Sequence, residues 1–217
     1  MKCIAINGSP RKHNNTAQLL QHALQGAASC GAETELIHLY DYTYKGCVSC
    51  FACKKKGGSS YGKCAKKDEL TPVLDAMLHA DAVILGSPVY LQSVTGEMRC
   101  FLERLLFPRG KYEAGFPSLF DKRIPAGLIF TMNVTAETLE QSAYQKTDME
   151  CVAMYINKLI GPCQVLNVYD TLQFDDYSQY VAPLFDEKKK RRIHEMQFPI
   201  DCRQAFALGA SLIKYNG

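Results

Sequence analysis

Five short apolar runs, separated by segments with helical periodicity, constrain the fold of this chain more than any other feature of its sequence. The runs lie at 3–7, 34–39, 82–86, 126–131 and 164–168. The segments that carry apolar residues at helical spacing lie at 17–28, 68–79, 96–106, 142–159 and 201–213. Strands that alternate with helices predict βαβ units with right-handed crossovers, and therefore a parallel sheet that is covered on both faces.

We therefore predict an α/β fold with a doubly wound, five-stranded parallel sheet in the strand order 2-1-3-4-5. In such a sheet ligands bind at the carboxyl ends of the strands, at the place where the strand order reverses. The loops that follow the first, third and fourth strands then share one edge of the sheet, and the loop after the second strand lies beside them. All four loops have informative sequences.

We expect residues 1–217 to form one domain that contains two irregular stretches. The stretch at about 42–67 is rich in Cys, Gly, Ser and Lys, and the stretch at about 170–186 is acidic and aromatic. Loops of this length inside compact domains are usually functional or disordered. The acidic aromatic stretch is a candidate cover for a bound cofactor or a candidate part of a subunit interface.

Charge and hydropathy exclude two classes of partner. The formal net charge of +3 is too small to indicate binding to nucleic acid, and we interpret the basic run at 188–192 as the solvated face of a helix. No apolar run approaches the roughly 20 residues of a membrane-spanning helix. The first residues lead directly into a strand rather than into a signal peptide. We therefore expect a cytoplasmic protein with no membrane partner.

The loop after the first strand has the composition of an anion site. Its sequence, GSPRKHNNT at 8–16, joins a strand to a helix, whose N-terminus carries about half a positive charge. Ser9 and Thr16 offer hydroxyls, and Arg11 offers a bidentate donor to phosphate. The loop matches neither the Walker pattern nor the dinucleotide fingerprint, and a monophosphate such as that of FMN fits it better than a pyrophosphate. The alternative is an ordinary capped helix start that binds nothing.

Two further loops are candidates for contact with a flat ring. GSPVY at 86–90 follows the third strand, where a small rigid turn lets the backbone approach a ring and lets Tyr90 lie against its face. The alternative is an ordinary turn between a strand and a helix, because Ser-Pro often starts turns. Thr131, which begins the sequence TMN after the fourth strand, is a third candidate contact.

Ten cysteines indicate metal or redox chemistry more than a disulfide framework, which is typical of small secreted domains. Four of them lie in the irregular stretch at about 42–67, namely Cys47, Cys50, Cys53 and Cys64. A C-x-x-C-x-x-C run suits a backbone wrapped around a compact centre such as a [4Fe–4S] cluster, whereas zinc prefers two separated pairs. The alternatives are buried free thiols or a former cluster site that no longer holds iron.

Together these motifs resemble the NADPH-dependent FMN reductase group of flavodoxin-like proteins, and within it the iron–sulfur flavoproteins. The residues that carry the resemblance are GSPRKHNNT at 8–16, the cysteine loop at 47–64 and SPVYLQSVTGEMRCFLERLLFP at 87–108. The first half of the chain resembles the group well, and the C-terminal half resembles it only in topology.

The resemblance implies roles for individual residues. Ser9, Arg11, Asn15 and Thr16 would bind the FMN phosphate, and Pro88, Val89 and Tyr90 would flank the isoalloxazine ring. The chain departs from the group in two places. Asn14 stands where the group often has Gly, a change that the backbone tolerance of Asn can accommodate. The gap at 54–63, before the last cysteine, is longer than the usual one.

Lysines surround the cysteine loop, at Lys45, Lys54, Lys55, Lys56, Lys63, Lys66 and Lys67. Cations at these positions would stabilise a negatively charged cluster and lower the pKa of its thiols. They would equally attract the phosphates of NADPH. The default interpretation of such lysines is that they solvate the loop.

The resemblance implies an FMN-dependent oxidoreductase that passes reducing equivalents from NAD(P)H to a quinone, a small electrophile or a protein acceptor. The cofactor carries the chemistry, so no side chain need act as a catalytic acid or base. One alternative is an electron-transfer protein that connects ferredoxin to an acceptor through a cluster, and another is a thiol-based redox sensor. Because flavin sites in this group are commonly completed by a neighbouring subunit, we expect a homodimer or homotetramer.

Overall fold

The computed structural model describes residues 1–141 and 143–215 and contains a five-stranded sheet. The strands are β1 (Lys2–Asn7), β2 (Glu33–His38), β3 (Ala82–Pro88), β4 (Ala126–Thr131) and β5 (Cys163–Val168). All neighbouring strands are parallel, in the order β2-β1-β3-β4-β5. The predicted doubly wound sheet and its strand order are therefore confirmed, and the fold is flavodoxin-like.

Helices cover both faces of this sheet. They are α1 (Asn15–Ser29), α2 (Leu70–His79), α3 (Gly96–Leu106), α4 (Ala136–Gln141), α5 (Ala143–Leu159), α6 (Glu187–Met196) and α7 (Phe198–Ile213). The sequence pattern did not predict α4, which is only six residues long. Helix α7 begins earlier than predicted because Pro199 occupies its first turn, where a missing N–H costs nothing. The predicted start of the fourth helix, residue 142, lies outside the described residues.

The two faces of β1 divide the apolar core in two. Ile4 and Ile6 point into a core that α2, α3 and α5 complete, while Cys3 and Ala5 point into a core that α1 and α7 complete. Successive side chains of a strand point to opposite faces, so a central strand that is covered on both sides reads as a continuous apolar run. This explains why the central strands were recognisable in the sequence.

Helices α1 and α7 approach each other closely through two glycines. A Cβ atom on Gly26 would stand 1.9 Å from the carbonyl oxygen of Phe206, and a Cβ atom on Gly209 would stand 1.8 Å from that of Ala23. Only hydrogen at these two positions lets the helix backbones meet. The contact holds α1, whose N-terminus faces the candidate site, against the sheet.

The interpretation of the basic run at 188–192 is wrong for one residue. The run does lie on a helix, α6, but Lys190 is buried with only 5% of its surface exposed. Its ammonium group forms an ion pair with Asp170 and donates to the carbonyl oxygen of Asn133 at 2.5 Å. The pair attaches α6 to the end of the sheet. Over the described ranges, no helix combines the length and the apolar character needed to cross a membrane.

Candidate functional site

A pocket of about 600 Å³ lies at the carboxyl edge of the sheet. Its walls are the loops that follow β1, β3, β4 and β5, and its volume is typical of small-molecule and cofactor sites. All eight side chains predicted to contact a cofactor line it, namely Ser9, Arg11, Asn15, Thr16, Pro88, Val89, Tyr90 and Thr131. The structure therefore brings together residues that are up to 122 positions apart in the sequence.

The loop after β1 is held by polar contacts from two neighbouring strands. Asn7 accepts a hydrogen bond from the backbone N–H of Ser9 at 2.9 Å, and its amide donates to Nδ1 of His38 at 2.8 Å. Burial lowers the pKa of His38, which favours the neutral ring that can accept this bond. The hydroxyls of Thr16 and Thr131 are hydrogen-bonded to each other at 2.8 Å. The positions of these hydroxyls are thus set by the sheet.

The start of α1 has the features of an anion site. Its N-cap residue, Asn14, makes no side-chain capping hydrogen bond. Ser9 and Thr16 line the pocket beside this helix end, and both are at least 95% buried. Buried hydroxyls and helix N-terminal amides together form a polar wall that matches a phosphate group.

Arg11 and Asn15 line the pocket but also bind its opposite wall. Arg11 donates from one guanidinium nitrogen to the carbonyl oxygen of Gln173 at 2.6 Å, and the Asn15 amide donates to that of Leu172 at 2.9 Å. The sequence marks the stretch at about 170–186 as a candidate cover for a cofactor but singles out none of the residues at 171–173, which form this wall. The contribution of Arg11 and Asn15 to phosphate binding stays a prediction.

The wall at 171–173 is braced by buried polar contacts. Thr171 donates from its backbone N–H and from its hydroxyl to the carbonyl oxygen of Met132, at 2.9 and 3.1 Å. Asp170, with φ of 51°, lies in the left-handed region and forms the ion pair with Lys190. Asn133 donates to the side chain of Gln173 at 2.6 Å. The loops after β4 and β5 therefore form one wall.

The loop after β3 ends in a tight and strained turn. Tyr90 and Ser93 exchange two backbone hydrogen bonds, at 2.7 and 2.9 Å, and the central residues Leu91 and Gln92 have φ of 46° and 68°. Two positive φ values without glycine are unfavourable, so the surrounding contacts must hold this turn. Val89 supplies one of these contacts, because its N–H donates to the carbonyl oxygen of Thr131 at 2.9 Å.

The four predicted metal ligands line a second, small cavity. Cys47, Cys50, Cys53 and Cys64 are all free thiols that face this cavity, beside α3. Ser49 and Phe51 have φ of 53° and 54°, so the backbone turns sharply within the C-x-x-C-x-x-C run. Within the described part of the chain, no three His, Cys, Asp or Glu side chains stand in a metal-binding arrangement. The structure thus gathers the four cysteines but does not show a metal centre.

Two consecutive residues of α3 anchor the cysteine loop. Glu103 accepts from the backbone N–H of Cys47 at 3.0 Å. Arg104 donates from Nε to the sulfur of Cys64 at 3.3 Å and pairs with Asp68 through its two terminal nitrogens, Nη1 and Nη2, at 2.6 and 2.9 Å. Burial raises the pKa of Asp68, but the hydrogen bonds and charge of Arg104 outweigh it, and the net pKa is lowered.

One lysine of the loop is structural rather than solvating. Lys54 donates to the carbonyl oxygens of Phe107 and Pro108, at 2.6 and 3.2 Å, and its ammonium lies 4.7 Å from the centre of the Phe107 ring. Burial lowers the pKa of Lys54, with an opposing contribution from Cys53. The default interpretation of the lysines as solvating residues is therefore wrong for Lys54.

Comparison with known proteins gives the family. Residues 1–157 match the NADPH-dependent FMN reductase family. The chain belongs to this family. Its polar pocket at the carboxyl edge is thus the pocket of an FMN reductase family member, which agrees with the resemblance read from the first and third loops.

Curated relatives of this FMN reductase family member include iron–sulfur flavoproteins. One from Archaeoglobus fulgidus is 42% identical over 113 residues, which is 52% of this chain and 53% of that protein. One from Methanocaldococcus jannaschii is 40% identical over 104 residues, 48% of this chain and 51% of that protein. The matched stretch therefore spans about half the length of these relatives.

Solved structures agree in fold across nearly the whole chain. An NAD(P)H:quinone oxidoreductase from Methanothermobacter marburgensis has a TM-score of 0.71 at 14% identity, covering 100% of this chain and 98% of that one. An FMN-dependent NADH-azoreductase from Bacillus anthracis has a TM-score of 0.66 at 13% identity, covering 98% and 100%. Identities this low establish the flavodoxin-like fold alone.

Proposed function

We propose that this protein is an FMN-dependent oxidoreductase that passes reducing equivalents from NAD(P)H to a quinone, another small electrophile or a protein acceptor. The observation that carries the proposal is the pocket at the carboxyl edge, which collects residues of two loops that carry family motifs, those after β1 and β3, in a member of the FMN reductase family. Bound FMN would supply the hydride and electron transfer, and the protein would supply binding and orientation.

The two ends of the pocket suit the two ends of FMN. At one end the hydroxyls of Ser9 and Thr16 and the first amides of α1 would bind the phosphate, with Arg11 adding positive charge. At the other end Pro88 and Val89 offer a rigid backbone, and the half-exposed ring of Tyr90 offers a flat face. A phosphate cradle joined to an apolar slot is what the cofactor requires.

The lining of the pocket supports chemistry that belongs to the cofactor. Of the described residues that line it, Arg11 and Tyr90 are the ionisable ones, and no carboxylate, imidazole or thiol is among them. A pocket without such groups offers no general base of suitable pKa near neutral pH. We therefore assign the chemistry of this pocket to the cofactor and not to an acid or base of its described lining.

Stopped-flow spectroscopy tests the proposal. Protein saturated with FMN should lose its flavin absorbance when mixed anaerobically with NADPH or NADH, and should regain it when a naphthoquinone is added. Thr16→Val, which removes a buried pocket hydroxyl, should bind FMN more weakly, whereas Thr138→Val, on an exposed helix surface, should not. Failure of the wild-type protein to bind FMN, or of bound FMN to accept a hydride, would refute the proposal.

A second candidate function is favoured by the cysteine cavity. Four free thiols face one space, and the matched relatives are named iron–sulfur flavoproteins. Cys47, Cys50, Cys53 and Cys64 would hold a [4Fe–4S] cluster, which would carry single electrons between ferredoxin and the flavin. Among the described residues these thiols do not stand in the arrangement that a single metal ion takes, so the proposal concerns a cluster and not a lone ion.

Anaerobic purification with iron and sulfide analysis separates the two functions. About four irons and four sulfides per chain, lost in Cys50→Ser but kept in Cys151→Ser, would favour electron transfer. Cys151 is the matched control because it is an exposed thiol on α5, remote in sequence from the loop. Protein that contains flavin but no iron would support the reductase function and exclude the iron–sulfur cluster.

We also propose that the protein forms a homodimer or homotetramer. Leu91 lines the pocket at the strained turn and is fully exposed, so a second copy that packs over it would remove an apolar side chain from water. Sedimentation velocity should show an oligomer that Leu91→Ser weakens. A monomeric wild-type protein would contradict the proposal.

A further inference from the structure

A further polar pocket, of about 110 Å³, lies between the cysteine loop and α2. It is distinct from the proposed FMN pocket at the carboxyl edge and from the cysteine cavity. Its walls come from the turn at 59–64, from α2, and from the end of α3 with the two residues Pro108 and Arg109. Gly62, with φ of +79°, lets this turn sit against Leu119 and Phe120. The pocket is therefore enclosed by structured segments rather than by one loose loop.

Arg109 lines this pocket as a buried cation that has no counter-ion among the described residues. Only 3% of its surface is exposed. Its Nε donates to the carbonyl oxygen of Leu159 at 3.1 Å, and its guanidinium lies 4.5 Å from the centre of the Phe120 ring. Among the described residues the guanidinium makes no further hydrogen bond and no ion pair. Arg104, which is equally buried, is by contrast paired with Asp68.

The charge of Arg109 persists at neutral pH despite its surroundings. Burial, together with the nearby charge of Arg123, lowers the pKa of Arg109 to about 10. A guanidinium with such a pKa is still protonated at pH 7. Burying a charge without a partner is costly in free energy, so a bound anion would be strongly favoured here.

The rest of the lining increases the positive potential. Lys63 and Lys67 stand at the exposed rim, and neither forms an ion pair with the described residues. Ser59 and Ser60 add two hydroxyls. Asp75 is the carboxylate in the lining, so three cations that form no ion pair with the described residues share the lining with one acidic side chain.

We infer that this pocket binds a small tetrahedral oxyanion, a phosphate or sulfate group, with Arg109 as the buried counter-charge and Lys63 and Lys67 at the rim. Its volume equals that of roughly four water molecules, which admits such a group and excludes a nucleotide base. The group could be free phosphate or the exposed phosphate of a larger molecule such as NADP⁺. Cys64 and Arg104 line both this pocket and the cysteine cavity, so the two are adjacent.

Isothermal titration with inorganic phosphate tests the inference. The protein is first saturated with FMN, so that the phosphate cradle at α1 is filled, and sodium chloride of equal ionic strength serves as the blank. Wild-type protein should bind phosphate. Lys63→Gln with Lys67→Gln should weaken binding roughly tenfold or more, because contacts to charged groups are lost.

Matched controls distinguish a built pocket from general surface charge. The control is Lys55→Gln with Lys56→Gln, which removes the same number of charges from the same loop. Both lysines are exposed and neither lines the pocket, so the affinity for phosphate should stay nearly unchanged. Arg109→Met should abolish binding, and circular dichroism checks that it folds. If Arg109→Met does not fold, the comparison of the Lys63/Lys67 variant with its Lys55/Lys56 control tests the inference by itself.

Two outcomes would overturn the inference. One is that phosphate binds FMN-saturated wild-type protein no better than chloride does. The other is that the rim variant and its control lose affinity equally. If phosphate binds as expected, competition identifies the natural source of the anion. Displacement of phosphate by NADP⁺ but not by NAD⁺ indicates the extra phosphate of the nucleotide. Displacement by neither nucleotide indicates free phosphate.

Discussion

The hydroxyl of Thr95 donates a hydrogen bond to the carbonyl oxygen of Gly8 at 2.7 Å, across 87 positions of sequence. The same hydroxyl caps α3 by accepting from the N–H of Met98 at 3.3 Å. The backbone N–H of Thr95 in turn donates to the hydroxyl of Ser87 at 3.1 Å. One fully buried side chain thus joins the loop after β1 to the loop after β3, which are the two loops expected to hold the two ends of the cofactor.

Thr95→Val should lower the free energy of unfolding by about 1–3 kcal/mol, because the carbonyl of Gly8 and the N–H of Met98 lose a buried partner. It should also weaken FMN binding, since the two loops would no longer be held in register. Urea unfolding and FMN titration measure the two effects. Thr95→Ser keeps the hydroxyl and is the matched control. Equal behaviour of the two variants would contradict the prediction.

Arg11→Ala should weaken FMN binding by more than about tenfold, because a charged contact to phosphate is typically worth about 1.5–3 kcal/mol. Its observed bond to Gln173 would be lost at the same time, which should loosen the opposite wall. Quenching of FMN fluorescence measures the affinity. Lys12→Ala removes a neighbouring charge of the same loop that pairs instead with Asp41, and should have a much smaller effect. An unchanged affinity of Arg11→Ala for FMN would contradict the assignment of Arg11 to the phosphate.

Acid should destabilise the protein partly through His38. Burial lowers the pKa of His38 below its unfolded value, although the charge of Asp41 opposes this. The unfolded chain therefore takes up the proton first as pH falls below about 6.5, and stability is lost in that range. Urea unfolding at pH 7 and pH 5 should show a smaller loss of stability for His38→Gln than for the wild type. An equal or larger loss in the variant would refute this role.

Gly209→Ala should destabilise the fold by about 1–3 kcal/mol or more, because its methyl group would overlap the carbonyl oxygen of Ala23 and push α1 from α7. Gly96→Ala is the control, since a Cβ atom there meets nothing within 4 Å. Thermal unfolding of both variants checks the prediction. A Gly209→Ala protein as stable as the wild type would show that the helix pair adjusts without cost.

Much of this molecule can be predicted from local patterns. The strands could be located because β1, β3 and β4 are buried on both faces and read as continuous apolar runs. The parallel sheet follows from the alternation of strands and helices, and five strands suit the order 2-1-3-4-5 that the structure has. The edge of the sheet where Ser9, Tyr90 and Thr131 meet follows from that order. Parallel strands place their carboxyl ends together, so loops distant in sequence become neighbours.

The tertiary structure alone decided the partners of the charged side chains. Arg11 donates to the carbonyl of Gln173, Lys190 pairs with Asp170, and Lys54 donates to carbonyl groups. Arg109 is buried and has no carboxylate partner in the part of the chain that the structure describes. None of these contacts has a sequence signature. The spacing of apolar residues in a segment indicates which face of that segment is buried. The partner of a long charged side chain depends instead on which distant backbone segments pack beside it, and the local sequence does not contain that information.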